Sequence, residues 1–141
     1  MKILLVEDSE TLRLSNERAL VEAGHEVACA DDCDSALQTA RDQTPDLILL
    51  DLIAPKGREL EVLTRLKHSR ATAKIPVIAL SALPEKKCHK LLDAGMEDYV
   101  DKRAIVSEGG MNRLPQLLEK LIRRINRKRG HPFSALLTKK G

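Results

Sequence analysis

Residues 45–55 read PDLILLDLIAP, and the apolar run inside this stretch decides the fold. Four aliphatic residues, Leu47 to Leu50, follow Pro45-Asp46 and lead into Asp51. A short, uninterrupted apolar run of this kind is typical of a parallel strand that is buried on both faces. Three similar runs lead into Glu7-Asp8, Ser81 and Asp101-Lys102. Ligands of doubly wound sheets bind at the carboxyl ends of such strands, so these polar residues are expected to meet at one edge.

Helical patterns separate the strands. Ser9 is placed to cap a first helix, whose apolar positions are expected to share one face: Leu12, Ala19, Leu20 and Ala23. Asp32 or Asp34 is expected to cap the second helix, and Gly24 and Gly95 stand where helices end. Strand and helix alternate five times, which predicts a parallel sheet with helices on both faces.

The last helical pattern is the most regular. Its apolar residues recur at intervals of three and four: Leu114, Leu117, Leu118, Leu121, Ile122 and Ile125. Basic residues fill the opposite side. We therefore predict one domain over residues 1–128 and a basic C-terminal tail over residues 129–141.

Composition narrows the class of protein. With 141 residues the chain is long enough for one domain, and its only aromatic residues are Tyr99 and Phe133. No apolar stretch approaches the roughly 20 residues of a membrane span. Cys29, Cys33 and Cys88 form no C-x-x-C pair, which favours free thiols in a cytoplasmic protein. Residues 112–141 hold nine of the 24 Lys and Arg residues but one of the 21 acids, so basic charge is concentrated there.

Three carboxylates, those of Glu7, Asp8 and Asp51, are expected to lie close together. Two unit charges about 4 Å apart repel by roughly 4 kcal/mol at an effective dielectric near 20, so the cluster calls for a cation or a raised pKa. Oxygen ligands of this kind suit Mg²⁺. A carboxylate beside such a metal can attack phosphorus, while Lys102 neutralises phosphoryl oxygens and Ser81 donates a hydrogen bond.

Each of these residues also has a purely structural explanation. Glu7, Asp8 and Ser9 could do no more than cap a helix, Ser81 could be a turn hydroxyl, and Lys102 could be a solvated surface charge. Their occurrence in order, each after its own strand, favours a functional site.

The segments KILLVEDSE, PDLILLDLIAP, IPVIALSAL and AGMEDYVDK together resemble the response-regulator receiver domain, the CheY-like phospho-acceptor module of two-component signalling. The resemblance runs from about Lys2 to Lys102 and resumes in the last helix. It implies a flavodoxin-like (βα)5 fold with a five-stranded parallel sheet of order 2-1-3-4-5. It also implies a signalling phospho-acceptor rather than an enzyme with turnover.

The resemblance assigns roles to individual residues. Asp51 would be the phosphorylation site, with Ser81 and Lys102 acting on the phosphoryl group and Ser81 and Tyr99 forming a switch. Mg²⁺ would be bound by Asp8 and Asp51 directly, by Glu7 through water and by the backbone carbonyl of Ile53. The implied partners are a sensor histidine kinase or histidine phosphotransfer protein, a downstream protein target and, as an open expectation, a second copy of the chain in a homodimer.

The chain departs from the family pattern in three places. Arg103 follows the lysine where the family usually has proline, so the loop of Lys102 is expected to be held differently. Lys56 and Arg58 add positive charge near the site, and extra residues that include Gly109-Gly110 precede the last helix.

Two other hypotheses remain open at this point. A nucleic-acid-binding regulator could use the basic C-terminal helix and tail, although the lack of aromatic residues for base stacking disfavours it. A metal-dependent phosphatase of another flavodoxin-like family is a third hypothesis. Such enzymes commonly carry a second aspartate two residues after the nucleophile, where this chain has Ile53.

Overall fold

The computed structural model describes residues 1–52, 58–82, 89 and 91–129. Its centre is one parallel sheet of five strands: β1 (Lys2–Val6), β2 (Glu26–Ala30), β3 (Leu47–Leu52), β4 (Val77–Ser81) and β5 (Asp98–Asp101). The strand order is β2-β1-β3-β4-β5, which confirms the predicted flavodoxin-like topology.

Four helices and one short 3₁₀ turn are described around the sheet: α1 (Glu10–Glu22), α2 (Cys33–Gln43), α3 (Arg58–Lys67), the 3₁₀ turn Lys102–Ala104 and α4 (Leu114–Arg129). Residues 91–93 are also helical, and the chain leaves them at Gly95 with φ at 112°. The predicted start of that segment at Pro84 lies outside the described residues. So do residues 130–141, and the boundary of the tail stays a prediction.

The helix ends follow their capping residues. The Ser9 hydroxyl accepts a hydrogen bond from the amide of Leu12 at 3.4 Å. Asp32, rather than Asp34, caps α2, because its Oδ1 accepts from the amide of Ser35 at 2.7 Å. Gly24 follows α1 with φ at 96°, a left-handed conformation that glycine adopts without strain.

The predicted inner face of α1 is wrong in part. Leu12 is 42% exposed and Ala23 is exposed, whereas the buried residues of this helix are Asn16 and Leu20. Asn16 can lie inward because its side-chain oxygen accepts a hydrogen bond from the side-chain Nδ2 of Asn112 at 2.8 Å. A polar residue therefore occupies the position that an apolar stripe would fill.

The sheet separates two aliphatic cores. One core packs α2 and α3 against one face, around Leu37, Leu63 and Leu66. The other packs α1 and α4 against the opposite face and contains five of the six predicted stripe residues of α4: Leu114, Leu118, Leu121, Ile122 and Ile125. The sixth, Leu117, is partly buried against the same core.

The extra residues before α4 form a small hairpin. Val106 and Asn112 make an antiparallel bridge, and the amide of Ser107 donates to the carbonyl of Met111 at 3.0 Å. Gly110 takes a φ of 80° at its turn. The side-chain oxygen of Asn112 then accepts from the amide of Leu114 at 2.9 Å, so the hairpin caps α4.

Cys29 and Cys33 are not in a disulfide bond, and Cys88 lies outside the described residues. Within the described part of the chain, no helix has both the length and the apolar character needed to cross a membrane.

Candidate functional site

Strand register brings the predicted acids together. Val6 at the end of β1 is paired with Leu50 of β3, so the residues that follow them, Glu7 and Asp51, become neighbours at the carboxyl edge of the sheet. Asp8 comes next, before the cap of α1. One carboxylate oxygen from each of these three acids lies within 4.8 Å of the other two.

Two of these carboxylates are buried. Glu7 is 1% exposed and Asp51 is 5% exposed, while Asp8 faces solvent. Apart from the ion pair between Lys102 and Asp51 Oδ1, Glu7 Oε1 and both carboxylate oxygens of Asp51 have no hydrogen-bond donor among the described residues. Buried oxygens without donors are costly to leave unpaired. The site therefore favours a cation that can take these oxygens as ligands.

Lys102 supplies one positive charge. Its Nζ forms an ion pair with Asp51 Oδ1 and lies 3.9 Å from Glu7 Oε1, and its side chain is 20% exposed. One lysine cannot balance three ionised carboxylates. The remaining negative charge is the reason why a second cation would be stabilising here.

The ionisation of Glu7 reflects this environment. The pKa of Glu7 is raised from an ordinary value of 4.5 to about 7. Burial of the carboxyl group is the largest cause, and the Asp51 carboxylate beside it is the second. The amide of Ser9, which donates to Glu7 Oε2 at 3.1 Å, and the charge of Lys102 act in the opposite direction.

These residues fit Mg²⁺ as the resemblance implies. Hard carboxylate oxygens that have few protein donors, with one acid open to solvent, match a cation that keeps several of its waters. Ile53, whose backbone carbonyl was predicted as a further ligand, lies outside the described residues.

The two predicted switch residues lie on adjacent strands. Ser81 ends β4 and is 2% exposed, one position beyond Leu80, which is the register partner of Asp51. Tyr99 of β5 is half-buried and packs against the core on the α2 and α3 side. The switch role of Ser81 and Tyr99 stays a prediction.

Arg103 has a specific role in the loop of Lys102. Its amide donates to Asp101 Oδ1 at 2.9 Å, a bond that proline could not make. Its guanidinium donates two further bonds to the same carboxylate, at 3.0 and 2.8 Å, and these bonds lower the pKa of Asp101. The departure from the family pattern therefore gives a different means of fixing this turn.

Sequence reasoning missed Arg13. This half-buried residue of α1 donates from Nη1 to the backbone carbonyl of Glu7 at 3.2 Å, which ties the helix to the strand end that carries the acids. Its position near the start of α1 could have indicated a contact with the end of β1, but a single arginine at such a position is more often a solvated surface charge. Lys56 and the side chain of Arg58 lie outside the described residues.

Comparison with known proteins agrees with the geometry. The sequence profile described as "Response regulator receiver domain" matches residues 3–109. The gliding motility regulatory protein of Myxococcus xanthus is 41% identical over 124 residues, which are 86% of this chain and 15% of that protein. The phosphate regulon transcriptional regulatory protein PhoB of Escherichia coli is 35% identical over 102 residues, 72% of this chain and 44% of that protein. The chain thus spans less than half the length of these relatives.

Solved structures show the same fold. The receiver domain of a sensor histidine kinase from Pseudomonas aeruginosa, which has a magnesium ion coordinated in its active site cleft, is 28% identical. It superposes with a TM-score of 0.70 and covers 89% of this chain and 97% of its own. The chemotaxis protein CheY4 of Vibrio cholerae, at 24% identity, gives a TM-score of 0.72 over 88% of this chain and 97% of its own.

Proposed function

Because the chain belongs to the response-regulator receiver domain family, we propose that Asp51 accepts a phosphoryl group from a histidine kinase or a histidine phosphotransfer protein. The observation that carries this proposal is the buried carboxylate of Asp51, paired with Lys102 and surrounded by the acids Glu7 and Asp8. Burial strips water from the acceptor oxygens, and the ammonium group beside them offsets charge that arrives with the phosphoryl group.

The proposed step exchanges one phosphorus bond for another. A carboxylate oxygen of Asp51 forms a bond to phosphorus while the bond between phosphorus and the donor's imidazole nitrogen breaks. The imidazole keeps the electron pair and later takes a proton from solvent. Lys102, already paired with Asp51, can turn its ammonium group toward the phosphoryl oxygens without leaving the site.

Mg²⁺ would be held by Asp8 and Asp51 directly, by Glu7 through water, and by the carbonyl of Ile53. When bound it would neutralise equatorial phosphoryl oxygens. The magnesium ion in the cleft of the similar Pseudomonas aeruginosa receiver supports this assignment. So do Glu7 Oε1 and Asp51 Oδ2, two buried carboxylate oxygens that have no donor among the described residues.

The product would act as a switch. An aspartyl phosphate adds negative charge and acceptor oxygens at the end of β3, next to the strand that carries Ser81. We propose that the Ser81 hydroxyl donates to the phosphoryl group, and that Tyr99 changes position with it and alters the surface of β5 and α4. A downstream protein or a second copy of the chain would recognise that surface. The chain would work in the cytoplasm as a phospho-acceptor.

Nucleic-acid binding through α4 is not proposed. Two of the basic residues on this helix already have acidic partners, since Arg123 pairs with Glu119 at 2.7 Å and Arg124 pairs with Asp98 at 2.6 Å. No described contact favours a nucleic acid over any other anion.

Intact mass spectrometry tests the acceptor. Incubation with acetyl phosphate and Mg²⁺ is expected to add one phosphoryl group to the wild-type chain, and a chelator is expected to prevent it. Asp51→Asn should remain unmodified, whereas the exposed control Asp93→Asn should behave as wild type. Equal modification of Asp51→Asn and the wild type would contradict the proposal.

A further inference from the structure

A pocket of about 260 Å³ lies between α2 and α3, on a different part of the molecule from the acidic site. Its volume is just below the range of about 300–1,000 Å³ that is usual for drug-sized ligands, so it suits a ligand of few atoms. Six residues line it: Leu37, Arg41, Arg65, His68, Ser69 and Thr72. Two arginines, a histidine and two hydroxyls thus surround one small space.

The positive charges in this pocket are poorly balanced. The side chain of Arg41 makes no ion pair or hydrogen bond with any residue that the structure describes. Arg65 reaches one oxygen of Asp34 at 3.8 Å, and that carboxylate is 95% exposed, so the pair is worth little. Asp42, the residue after Arg41, accepts a hydrogen bond from the side-chain amide of Gln38 at 2.8 Å.

Helix dipoles give an ordinary explanation for part of this pattern. Arg41 lies in the last turn of α2 and Arg65 in the last turn of α3, where cations are favoured. That effect accounts for basic residues on each helix separately. It does not require that both arginines line the same pocket, together with His68 and two hydroxyl residues.

The other polar groups of the pocket are held by the backbone of the molecule. His68 Nδ1 lies 2.7 Å from the carbonyl of Thr64 and must donate to it, so Nε2 is an acceptor in the neutral ring and a donor only in the imidazolium. The Thr72 hydroxyl donates to the carbonyl of Leu66 at 2.6 Å, so this buried residue forms a fixed wall. Leu37, also buried, supplies one apolar side.

We propose that this pocket binds a small anion that carries a phosphate group, with Arg41 and Arg65 as its main ligands. Guanidinium groups match phosphate oxygens in shape and charge. Leu37 provides room for a short carbon chain, as in a three-carbon phosphate monoester. α2 and α3 run back from the carboxyl edge of the sheet, so their last turns lie at the amino edge, opposite Asp51. The pocket is therefore a second site that does not depend on the function proposed for Asp51.

Amide chemical shifts test this proposal directly. The full chain, labelled with ¹⁵N, would be titrated with inorganic phosphate and with glycerol 3-phosphate, at constant ionic strength set with sodium chloride. Saturable shifts are expected for the amides around Leu37, Arg41 and His68, with tighter binding of the monoester. Arg41→Gln combined with Arg65→Gln should weaken binding at least about tenfold, because both charge-assisted contacts are lost.

Two variants serve as controls. Arg18→Gln removes an exposed arginine of α1 outside the pocket and should bind as wild type does. Asp51→Asn should also keep the shifts around Arg41, because the acceptor site is separate. The proposal is overturned if the shifts fail to saturate, if they survive in the double variant, or if they disappear in Asp51→Asn and so report the acceptor site.

Discussion

At the scale of single residues, Glu7 is a carboxyl group whose ionised form is unfavourable in the folded chain. Its carboxylate is buried, its Oε1 has no donor among the described residues, and its neighbour Asp51 carries the same charge. The only cation close to both acids in the described structure is Lys102. Burial first, and the neighbouring Asp51 carboxylate second, raise the pKa of Glu7 to about 7.

The raised pKa of Glu7 predicts a specific pH dependence. Between pH 4.5 and pH 7 the folded chain holds a proton that the unfolded chain has released, so the free energy of unfolding falls as pH rises through this window. The full penalty above pH 7 is on the order of 3 kcal/mol. Glu7→Gln removes the titration and should be more stable than wild type at pH 8 in chelator, with the advantage shrinking toward pH 4.

Denaturant unfolding at several pH values measures this difference. Mg²⁺ should stabilise the wild type at pH 8 more than it stabilises Glu7→Gln, because the acid would help to hold the ion through water. A stability difference that stays constant from pH 4 to pH 8 would show that the carboxylate of Glu7 is not strained.

The pair of Lys102 and Asp51 predicts strong coupling. Lys102→Met leaves two buried carboxylates without their cation, and loss of one member of a buried pair typically costs about 3–5 kcal/mol. Asp51→Asn removes much of the repulsion, so the double variant should recover most of that loss in metal-free buffer. A double-mutant cycle by denaturant unfolding measures the coupling, and additive effects would argue against a working ion pair.

At the scale of elements, the hairpin of residues 105–113 was the least predictable part. The sequence showed extra residues with Gly109-Gly110, but not that Asn112 would reach back to Asn16 and Ser15 of α1. This contact spans 96 residues of sequence, and no local pattern reports it. The same contact explains why the inner face of α1 was predicted incorrectly. A buried asparagine interrupts the spacing of apolar residues from which the inner face of a helix is predicted.

Asn112 should therefore matter more than its surface position suggests. Asn112→Ala removes the cap of α4 and leaves the buried oxygen of Asn16 without this donor, which together should cost about 1–3 kcal/mol. The exposed hairpin residue Glu108 provides a control, because Glu108→Ala should change stability little. Thermal melts compare the two variants, and equal stability would mean that the hairpin is not anchored by Asn112.

Other elements were predictable because local signals agreed with the fold. The apolar runs, the caps at Ser9 and Asp32, and the glycine after α1 all indicate the same boundaries that the structure has. The period of α4 predicted its buried stripe for the same reason. The ion pair between Arg103 and Asp101 could not be predicted from the sequence, because the family usually has proline at the position of Arg103 and gives no precedent for this contact.

At the scale of the whole molecule, α4 is expected to be indispensable. A chain that ends at Arg129 should be nearly as stable as the full chain, whereas a chain that ends at Asn112 should not fold. The second truncation exposes an apolar core and loses five buried aliphatic side chains, each worth roughly 1.5–3 kcal/mol. That loss is comparable to a typical domain stability of about 5–15 kcal/mol.

Thermal melts of the two truncated chains measure the contribution of α4 to stability. Arg124, which donates to Asp98 at 2.6 Å, leaves with the helix and adds to the loss at β5. If the chain that ends at Asn112 melts as cooperatively and as high as the full chain, α4 is an appendage rather than part of the core.

The most direct test of the central claim is to locate the phosphoryl group on the chain. After incubation with acetyl phosphate and Mg²⁺, borohydride converts an aspartyl phosphate to homoserine, which peptide mass spectrometry can assign to one residue. The buried, lysine-paired carboxylate predicts conversion at Asp51 alone. Conversion at Asp8 or at Asp101 in place of Asp51, or no conversion of any aspartate, would contradict the account.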